Sequence, residues 1–523
     1  MPPDGYARAS GKAGVLLTHL GPGLTNATTG VANAALDSIP MVVISGDVPS
    51  HFYGRHPHQE FNLHQDADQF QIYRPFCKRV YRVDRAADLP RIIGARVPSG
   101  AVGPPWARAR RRCRWTSFPP ICRSTRFADA CRDCAAVDRS GSGRDDRRRC
   151  LRQAERPVIY AGGGVLSARA TSELAALAEA LDVPVAHSLM GKGCLREDHP
   201  LLLGMTGFWG TPIANDRCRT ADVILAVGTR LAEASSSSWD PRFTFAAPPT
   251  RVIHIDADIA EIGRNLPTEL GVVADAEACA RRARRRARAD AQHRARGPIR
   301  EEIAQAPPRV RLEVGAAVAI GSVSRCARAH PQRAAPGRSR RRLHRHRRRL
   351  EQERRRAAVL DHRPRHVHHA ERPGDHGASA RRRCSASRWR SRDRAAVALI
   401  GDGGFGSNPS VVATAMEAGL NVVWLVMDNA AFGTIAGLEQ QHYGWSFGCV
   451  FECDGRPYRV DFAAMARACG ARGVMIESPD QLGPALQEAL ASRLPTVIQV
   501  PMENAPTPTP GHWNINDIYR KGE

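Results

Sequence analysis

The sequence predicts an α/β protein built from doubly wound parallel sheets. Short apolar runs of buried-strand type alternate with helical stretches, first at Gly14–Thr18 and again at Pro40–Ser45. Between these two strands we predict a turn at His19–Gly23 and a helix at Thr25–Leu36. The same alternation appears in the middle of the chain and again from Val397 onward. Strands that alternate with helices are typical of parallel sheets, and 523 residues leave room for about three such domains.

The stretch Val397–Tyr443 has the pattern of one complete βαβ unit. Its strands are Val397–Ile400 and Asn421–Met427, and the helix between them is capped by Ser407 or Asn408 and runs to about Gly419. Because a crossover of this length is right-handed, both strands end at the same edge of the sheet. Open α/β sheets bind ligands at that edge.

Polar residues follow both of these strands. Asp402 comes after the first strand, and Asp428 and Asn429 come at the end of the second. Carboxylate, amide and backbone carbonyl oxygens suit Mg²⁺, which shares its shell with phosphate oxygens and water. The glycines around Asp402 leave backbone N–H groups accessible, and the start of the helix adds a positive dipole. The pattern predicts a metal–diphosphate clamp, with a plain glycine-rich strand–turn–helix as the alternative.

This pattern resembles the diphosphate-binding motif of thiamine diphosphate (ThDP) enzymes, which runs from Gly-Asp-Gly to a paired Asn-Asn. The resemblance implies that Asp402, Asn429 and the backbone carbonyl of Ala431 bind Mg²⁺, and Asp428 replaces the first asparagine of the pair. The following residues are similar to the acetolactate synthase branch of the family. The implied cofactor contacts in this region are Gly401, Asp402, Gly403, Gly404, Asn429, Ala431, Phe432 and Gly433.

The N-terminal residues resemble the pyrimidine-binding domain of the same family, whose pattern is matched by Asp4–Gly46. The resemblance places Gln59 near the reactive thiazolium carbon of the cofactor, as a catalytic residue. An ordinary strand–helix turn is the alternative for Gly21–Gly23. The residues implied on the pyrimidine side of the cofactor are Pro22, Gly23 and Asn26.

The catalytic glutamate of the family has no counterpart in this sequence. It lies well upstream of the motif that begins here at Asp4, and Met1 stands only three positions before that residue. The resemblance therefore implies an N-terminally truncated chain. Because active sites in the family form between two subunits, a homodimer of this chain would lack the glutamate in both sites.

The middle of the chain predicts a second Rossmann-like unit, which resembles the central domain of ThDP enzymes. In acetolactate synthases this domain holds a non-catalytic FAD. The run Gly162–Gly164 is only a weak indication of a nucleotide, and Leu231-Ala232-Glu233 departs from the continuation of FAD-binding members. We expect a structural domain, with FAD unlikely but possible. The predicted elements are the strands Pro157–Ala161, Val183–His187, Asp222–Val227 and Arg251–Ile255 and the helix Thr171–Leu181.

Most of the net charge of +24 lies in one stretch. Arg325–Arg394 contains 24 arginines, 6 acidic residues and no lysine, which predicts disorder because such a composition cannot form a core. A nucleic-acid-binding protein is the competing interpretation, but Trp389 is the only aromatic residue there. We interpret this tract and residues 97–150 as products of translation in a shifted reading frame. Codons for Arg347–Val359 and for Cys113–Phe118 can be chosen so that a one-nucleotide shift encodes segments that resemble the family.

These observations divide the chain into three Rossmann-like domains, of which the first and third are incomplete. The predicted boundaries are 1–96 for the pyrimidine-binding domain, 97–150 for an aberrant stretch, 151–280 for the central domain, 281–395 for a basic linker with the arginine-rich tract, and 396–523 for the diphosphate-binding domain.

The resemblance implies a ThDP- and Mg²⁺-dependent carboligase or lyase that acts on 2-oxo acids such as pyruvate, assembled as a homodimer or homotetramer. A 2-oxo acid decarboxylase, an acyltransferase or an inactive fragment are the alternatives. No apolar run reaches membrane-spanning length, and the start lacks a signal peptide pattern. We therefore expect a cytoplasmic protein with no membrane partner and no specific nucleic acid.

Overall fold

The structure is a computed structural model. It describes residues 2–48, 50–52, 55, 57–62, 68–83, 87, 107–109, 154–276, 298–305 and 395–504. The expected basic tract and most of the stretch 97–150 lie outside the described residues. The described residues fall into two compact units, one from the N-terminal part of the chain and one from its central and C-terminal parts. No helix in the described ranges has the length and apolar character needed to cross a membrane.

The N-terminal unit contains a four-stranded sheet in the order β1-β2-β4-β3. Strand β1 pairs parallel to β2, and β2 and β3 both pair parallel to β4. The long helix α2 buries Leu24, Val31 and Ala34 against Met41 and Val43 of the sheet. The elements are α1 Pro2–Ser10, β1 Gly14–His19, α2 Leu20–Leu36, β2 Met41–Gly46, β3 Arg79–Val80 and β4 Ala107–Ala109.

Both strands predicted in this unit are confirmed, but the turn predicted at His19–Gly23 is wrong. Helix α2 begins at Leu20, so Pro22 and Gly23 lie in its first turn. A helix tolerates proline there because the first N–H groups have no partner within the helix. Strand β4 was not predicted, because the arginine-rich residues around it have no strand periodicity.

The central part of the chain forms a six-stranded sheet in the order β10-β9-β8-β5-β6-β7, with parallel pairing throughout. The inner strands β5 and β8 are buried along their whole length. The elements are β5 Val158–Ala161, α3 Gly163–Ser167, α4 Thr171–Leu181, β6 Val185–His187, β7 Leu202–Met205, α5 Pro212–Arg219, β8 Val223–Val227, β9 Arg251–Asp256, β10 Leu270–Val273 and α6 Pro298–Gln305.

All four strands and the helix predicted for this domain are confirmed. Helix α4 has the predicted bounds, Thr171–Leu181. The edge strands β7 and β10 were missed because they are only four residues long and each contains a glycine. Gly204 in β7 has a φ of +106° and lies beside a register shift between β6 and β7, so the strand pattern is broken there.

The C-terminal part forms a four-stranded sheet in the order β11-β12-β16-β15, and both β12 and β15 pair parallel to β16. Its core includes the fully buried Trp424, which packs with Phe405, and Phe405 packs in turn with Phe462. The elements are β11 Ala396–Gly401, α7 Asp402–Gly406, α8 Val411–Glu417, β12 Val422–Asp428, α9 Gly433–Tyr443, β13 Glu452–Cys453, β14 Arg456–Pro457, α10 Phe462–Ala468, β15 Arg472–Met475, α11 Leu482–Ser492 and β16 Thr496–Pro501.

The strands of the βαβ unit are confirmed, whereas the helix cap predicted at Ser407 or Asn408 is wrong. The crossover contains two helices, and the first begins at Asp402 directly after the strand. The second helix begins at Val411. Asn408 Oδ1 instead accepts a hydrogen bond from Ser410 Oγ over 2.6 Å. The three predicted parallel-sheet domains are therefore present, and the α/β fold class is confirmed.

We predict that Gly473→Ala destabilises the C-terminal domain. A Cβ atom at Gly473 in β15 would overlap the backbone carbonyl of Ala463 in α10, and neither backbone can move without disturbing the sheet. Overpacking of this kind costs at least about 2 kcal/mol. Thermal unfolding followed by circular dichroism measures the loss. The control is Gly406→Ala, whose Cβ would lie 3.4 Å from Phe462. Equal unfolding midpoints for the two variants would contradict this packing.

Candidate functional site

The structure brings the three predicted metal ligands together at one edge of the C-terminal sheet. Asp402 follows β11 directly, and Asn429 follows the neighbouring strand β12. Ala431 comes two residues later. Their relative exposures are 3%, 6% and 3%, so all three residues are buried. The N–H of Ala431 donates to Asp402 Oδ2 over 3.2 Å, which shows that the two strand ends are in contact.

Three oxygen atoms converge between these residues. Asn429 Nδ2 donates to Asn504 Oδ1 over 3.1 Å. With the amide in this orientation, Asn429 Oδ1 lies 3.2 Å from Asp402 Oδ1 and 3.0 Å from the Ala431 carbonyl oxygen. Octahedral Mg²⁺ binds oxygens at about 2.1 Å, which puts neighbouring ligands about 3 Å apart. The spacing and the donor chemistry therefore fit one shared divalent cation.

The Asn429 amide also has a second orientation. If it is turned by 180°, Nδ2 donates to Asp402 Oδ1 over 3.2 Å and to the Ala431 carbonyl over 3.0 Å. This orientation satisfies the cluster without a cation. It also places Asn429 Oδ1 3.1 Å from Asn504 Oδ1, so the Asn504 amide must turn as well. A cation favours the first orientation, because only the amide oxygen can bind a metal.

The carboxyl group of Asp402 has a pKa close to neutral pH, so its protonated and ionised forms are similar in free energy. Burial, together with the nearby Asp428 carboxyl group, raises the pKa of Asp402 to about 7. Hydrogen bonds from the backbone N–H groups of Gly403 and Ala431 act in the opposite direction. A cation at the oxygen cluster would favour the ionised form. The site is therefore electrostatically suited to gain a positive charge.

Asp428, the residue that replaces the first family asparagine, is fully enclosed by donors. Gln499 Nε2 donates to its Oδ2 over 2.8 Å, and the N–H of Ala430 donates to Oδ1 over 3.2 Å. Arg459 Nη1 lies 3.2 Å from Oδ1 and donates to the Asp428 carbonyl over 2.6 Å. These contacts hold the end of β12 and supply the charge balance that an asparagine would not need.

A short antiparallel pairing supports the turn that carries the ligands. The N–H of Phe432 donates to the Cys449 carbonyl and the N–H of Phe451 donates to the Ala430 carbonyl, each over 2.8 Å. The Phe432 ring packs edge-on against Phe451 and lies where a Cβ of Gly403 would be. Gly403 is thus required by packing of the protein itself.

The other predicted contacts of this region lie around the oxygen cluster. Gly401 precedes α7, and a Cβ on Gly401 would meet nothing within 4 Å. Gly404 lies within the short helix α7. Gly433 is the first residue of α9, which begins two positions after Ala431. Open space at Gly401 and a helix N-terminus at Gly433 are the features that an anionic group would require.

In the N-terminal unit, the predicted residues lie at the carboxyl end of β1. Pro22 and Gly23 are half-buried in the first turn of α2, and Asn26 is exposed one turn later. Gln59 has an exposed side chain and a φ of +66°, and its carbonyl accepts the N–H of Gly21 over 3.1 Å. The structure therefore places Gln59 beside the start of α2. Its catalytic role remains a prediction.

In the central domain, the run Gly162–Gly164 is explained by contacts within the domain. A Cβ on Gly162 or on Gly164 would overlap the Gly228 backbone. The N–H of Gly164 donates to the Gly228 carbonyl over 2.9 Å. These glycines allow two loops at the edge of the sheet to touch and do not by themselves indicate a nucleotide. The expectation about FAD stays a prediction.

Comparisons with known proteins agree with this architecture. Three family models match in order along the chain: the N-terminal TPP binding domain of thiamine pyrophosphate enzymes at residues 3–71, the central domain at 147–282, and the C-terminal TPP binding domain at 356–500. Thiamine pyrophosphate (TPP) is another name for ThDP. The chain belongs to the thiamine pyrophosphate enzyme family.

Within that family, the similar relatives are acetolactate synthases. The chain is 34% identical over 278 residues to a probable acetolactate synthase large subunit of Methanocaldococcus jannaschii, covering 52% of this chain and 45% of the relative. It is 35% identical over 287 residues to an acetolactate synthase of Arthrospira platensis, covering 52% and 46%. The matches thus span about half the length of each relative.

Sequence reasoning missed three residues that shape the oxygen cluster, namely Gln499, Arg459 and Asn504. Their contacts join residues 31 to 75 positions apart in the chain, so no local motif contains them. One signal was available for Gln499. It is a polar residue in the otherwise apolar strand Thr496–Pro501, and it is fully buried.

A buried carboxyl group lies at the end of β2 in the N-terminal unit. Asp47 is 2% exposed, and its Oδ1 accepts the N–H of Val48 over 2.9 Å and Nε2 of Gln69 over 3.3 Å. Burial raises the pKa of Asp47 to about 7. The folded unit therefore holds this proton more tightly than the unfolded chain does.

We predict that Asp47→Asn reduces the loss of stability that accompanies a rise in pH from weakly acidic to neutral. Because the pKa is raised on folding, Asp47 favours the folded state below its unfolded pKa of 3.8, and that contribution is lost as pH rises through about 7. Between pH 5 and pH 8 the unaltered chain should lose about 2 to 4 kcal/mol more than the variant. Denaturant unfolding at both pH values measures the difference. The control is the exposed Asp454→Asn, and parallel pH profiles for the two variants would contradict the prediction.

Proposed function

We propose that this chain binds ThDP together with Mg²⁺ and is a carboligase of acetolactate synthase type acting on 2-oxo acids such as pyruvate. The single observation that supports the proposal is the convergence of the Asp402, Asn429 and Ala431 oxygens in a buried site at about the spacing of octahedral magnesium ligands. Membership of the thiamine pyrophosphate enzyme family supports the cofactor. The acetolactate synthase relatives support the reaction type.

In this proposal each group has a defined task. Asp402, Asn429 and the Ala431 carbonyl would hold Mg²⁺, and the remaining coordination positions would be free for diphosphate oxygens and water. Gly401 leaves room for the diphosphate, and the N-terminus of α9 would add a favourable dipole. When bound, ThDP supplies the nucleophilic carbon that attacks the carbonyl of a 2-oxo acid.

The residues of the N-terminal unit would act on the other end of the cofactor. Pro22, Gly23 and Asn26 would form a surface for the pyrimidine ring, and the exposed Gln59 would be available to hydrogen-bond near the reacting carbon. We propose a homodimer or homotetramer in the cytoplasm. No membrane or specific nucleic acid is proposed as a partner.

We predict that ThDP binding depends on Mg²⁺ and on the oxygen cluster. Asp402→Ala and Asn429→Leu each remove one metal ligand, so each should weaken ThDP affinity in the presence of Mg²⁺ by at least about 100-fold, more than loss of a supporting residue does. Isothermal titration calorimetry with ThDP, in Mg²⁺ and in EDTA, measures this dependence.

The control variant is Asp480→Ala, which makes the same chemical change at an exposed position of the same domain. It should bind ThDP like the unaltered chain. If the unaltered chain binds no ThDP in Mg²⁺, or if Asp402→Ala binds it equally well, the proposed cofactor site is wrong.

We predict that the chain, loaded with ThDP and Mg²⁺, converts pyruvate to acetolactate. A carboligase transfers the two-carbon unit left by decarboxylation to a second carbonyl, whereas a decarboxylase releases it as acetaldehyde. Carbon-13 NMR of the products from labelled pyruvate separates these outcomes, with Asp402→Ala as the inactive control. Acetaldehyde as the main product would favour the decarboxylase alternative. A chain that binds ThDP but forms neither product would favour the inactive fragment.

A further inference from the structure

The end of the last strand is attached to the turn that carries the metal ligands. Strands β12 and β16 are in register up to the pair Asp428 and Pro501. Beyond that pair, the N–H of Met502 donates to the Asp428 carbonyl over 2.6 Å. Arg459 then joins the two segments, since Nη1 donates to the Asp428 carbonyl and Nη2 to the Met502 carbonyl over 2.8 Å. Asn504 is therefore held beside Asn429.

The Asn504 side chain makes its hydrogen bond with Asn429 on the side away from the oxygen cluster. Asn504 Oδ1 accepts from Asn429 Nδ2 over 3.1 Å, and Asn504 is half-buried while Asn429 is 6% exposed. A primary amide has its oxygen and nitrogen on opposite sides of one bond. A partner that accepts from the nitrogen thus turns the oxygen toward Asp402 and Ala431.

We propose that Asn504 is a positioning residue that sets the orientation of the Asn429 amide and so prepares the oxygen cluster to bind a divalent cation. The inference rests on the proposed function and deepens it. Residues that orient a metal ligand in this way typically contribute 10- to 100-fold to metal affinity.

The inward orientation of the Asn429 amide competes with the orientation that binds a cation. Without an acceptor at position 504, Asn429 Nδ2 gains two acceptors by turning inward, Asp402 Oδ1 and the Ala431 carbonyl. That orientation places N–H groups where the cation would bind. While Asn504 keeps Oδ1 toward Asn429, it opposes this turn, because the inward orientation would bring the two amide oxygens within 3.1 Å of each other and requires the Asn504 amide to turn as well. An aspartate at position 504 can only accept when ionised, so it would hold Asn429 in the orientation that binds metal.

The experiment measures metal affinity in the full chain with two probes. Mn²⁺ alone, which prefers the same oxygen ligands as Mg²⁺, is titrated by electron paramagnetic resonance, and ThDP is titrated by calorimetry at several Mg²⁺ concentrations. The variants Asn504→Leu and Asn504→Ala both remove the acceptor, one with the same branched side-chain skeleton and one with a small side chain. Asn504→Asp retains it. Glu503→Leu, at the exposed neighbouring position, is the matched control.

We expect Asn504→Leu and Asn504→Ala to weaken Mn²⁺ binding by about 10-fold or more, and to raise the Mg²⁺ concentration needed for ThDP binding by a similar factor. Asn504→Asp should bind at least as tightly as the unaltered chain, and Glu503→Leu should bind equally. The unfolding midpoints without metal should be unchanged, because the inward orientation of Asn429 replaces the lost hydrogen bond.

Two results would overturn the inference while leaving the proposed function intact. The first is parent-like Mn²⁺ affinity in both Asn504→Leu and Asn504→Ala. The second is an Asn504→Asp variant that binds as weakly as these two, since the acceptor would then not be the property that matters. An unaltered chain that binds neither Mn²⁺ nor ThDP would overturn both the proposed function and this inference.

Discussion

Oxygen atoms that contact one another in a buried site repel unless a hydrogen atom or a cation lies between them. The C-terminal domain contains one such cluster, formed by Asp402, Asn429 and the Ala431 carbonyl. Asp402 and the Ala431 carbonyl are fixed by strand ends, so only the Asn429 amide can adjust. With Nδ2 turned inward, the amide donates hydrogen bonds to the other two oxygens; with Oδ1 turned inward, the three oxygens can bind a cation. The surrounding contacts of Arg459 and Gln499 keep the strand ends in place whichever orientation is taken.

Asp428 stands where the family motif has its first asparagine, and the surrounding residues compensate its buried carboxylate. An isolated carboxylate at 1% exposure would be strongly destabilising. Here Gln499, Arg459 and the N–H of Ala430 surround it. The same Arg459 holds the Met502 carbonyl, so the charge balance of Asp428 and the placement of the segment after β16 depend on one side chain. Arg459 thus links Asp428, the residue that differs from the family motif, to the segment that places Asn504 beside Asn429.

The sequence was informative about strands and about ligand identity, and less so about helix starts. Apolar runs located β1, β2, β11 and β12 closely, because a buried parallel strand needs a continuous apolar stretch. The helix starts at Leu20 and Asp402 were missed, since proline and glycine indicate turns but are also tolerated in a first helical turn. The supporting residues Arg459 and Asn504 could not be predicted, because their role comes from tertiary contacts with distant residues.

Glycine runs that look alike in the sequence have different physical causes in the two domains. At Gly162 and Gly164, side chains are excluded by the Gly228 backbone, and at Gly403 the excluding group is the Phe432 ring. At Gly401 a side chain would meet nothing, so packing within the described residues does not require glycine there. The empty space beside Gly401 leaves room for a ligand at the end of β11. In the proposed function, this space and the neighbouring Asp402 carboxylate would together accommodate a metal-bound diphosphate.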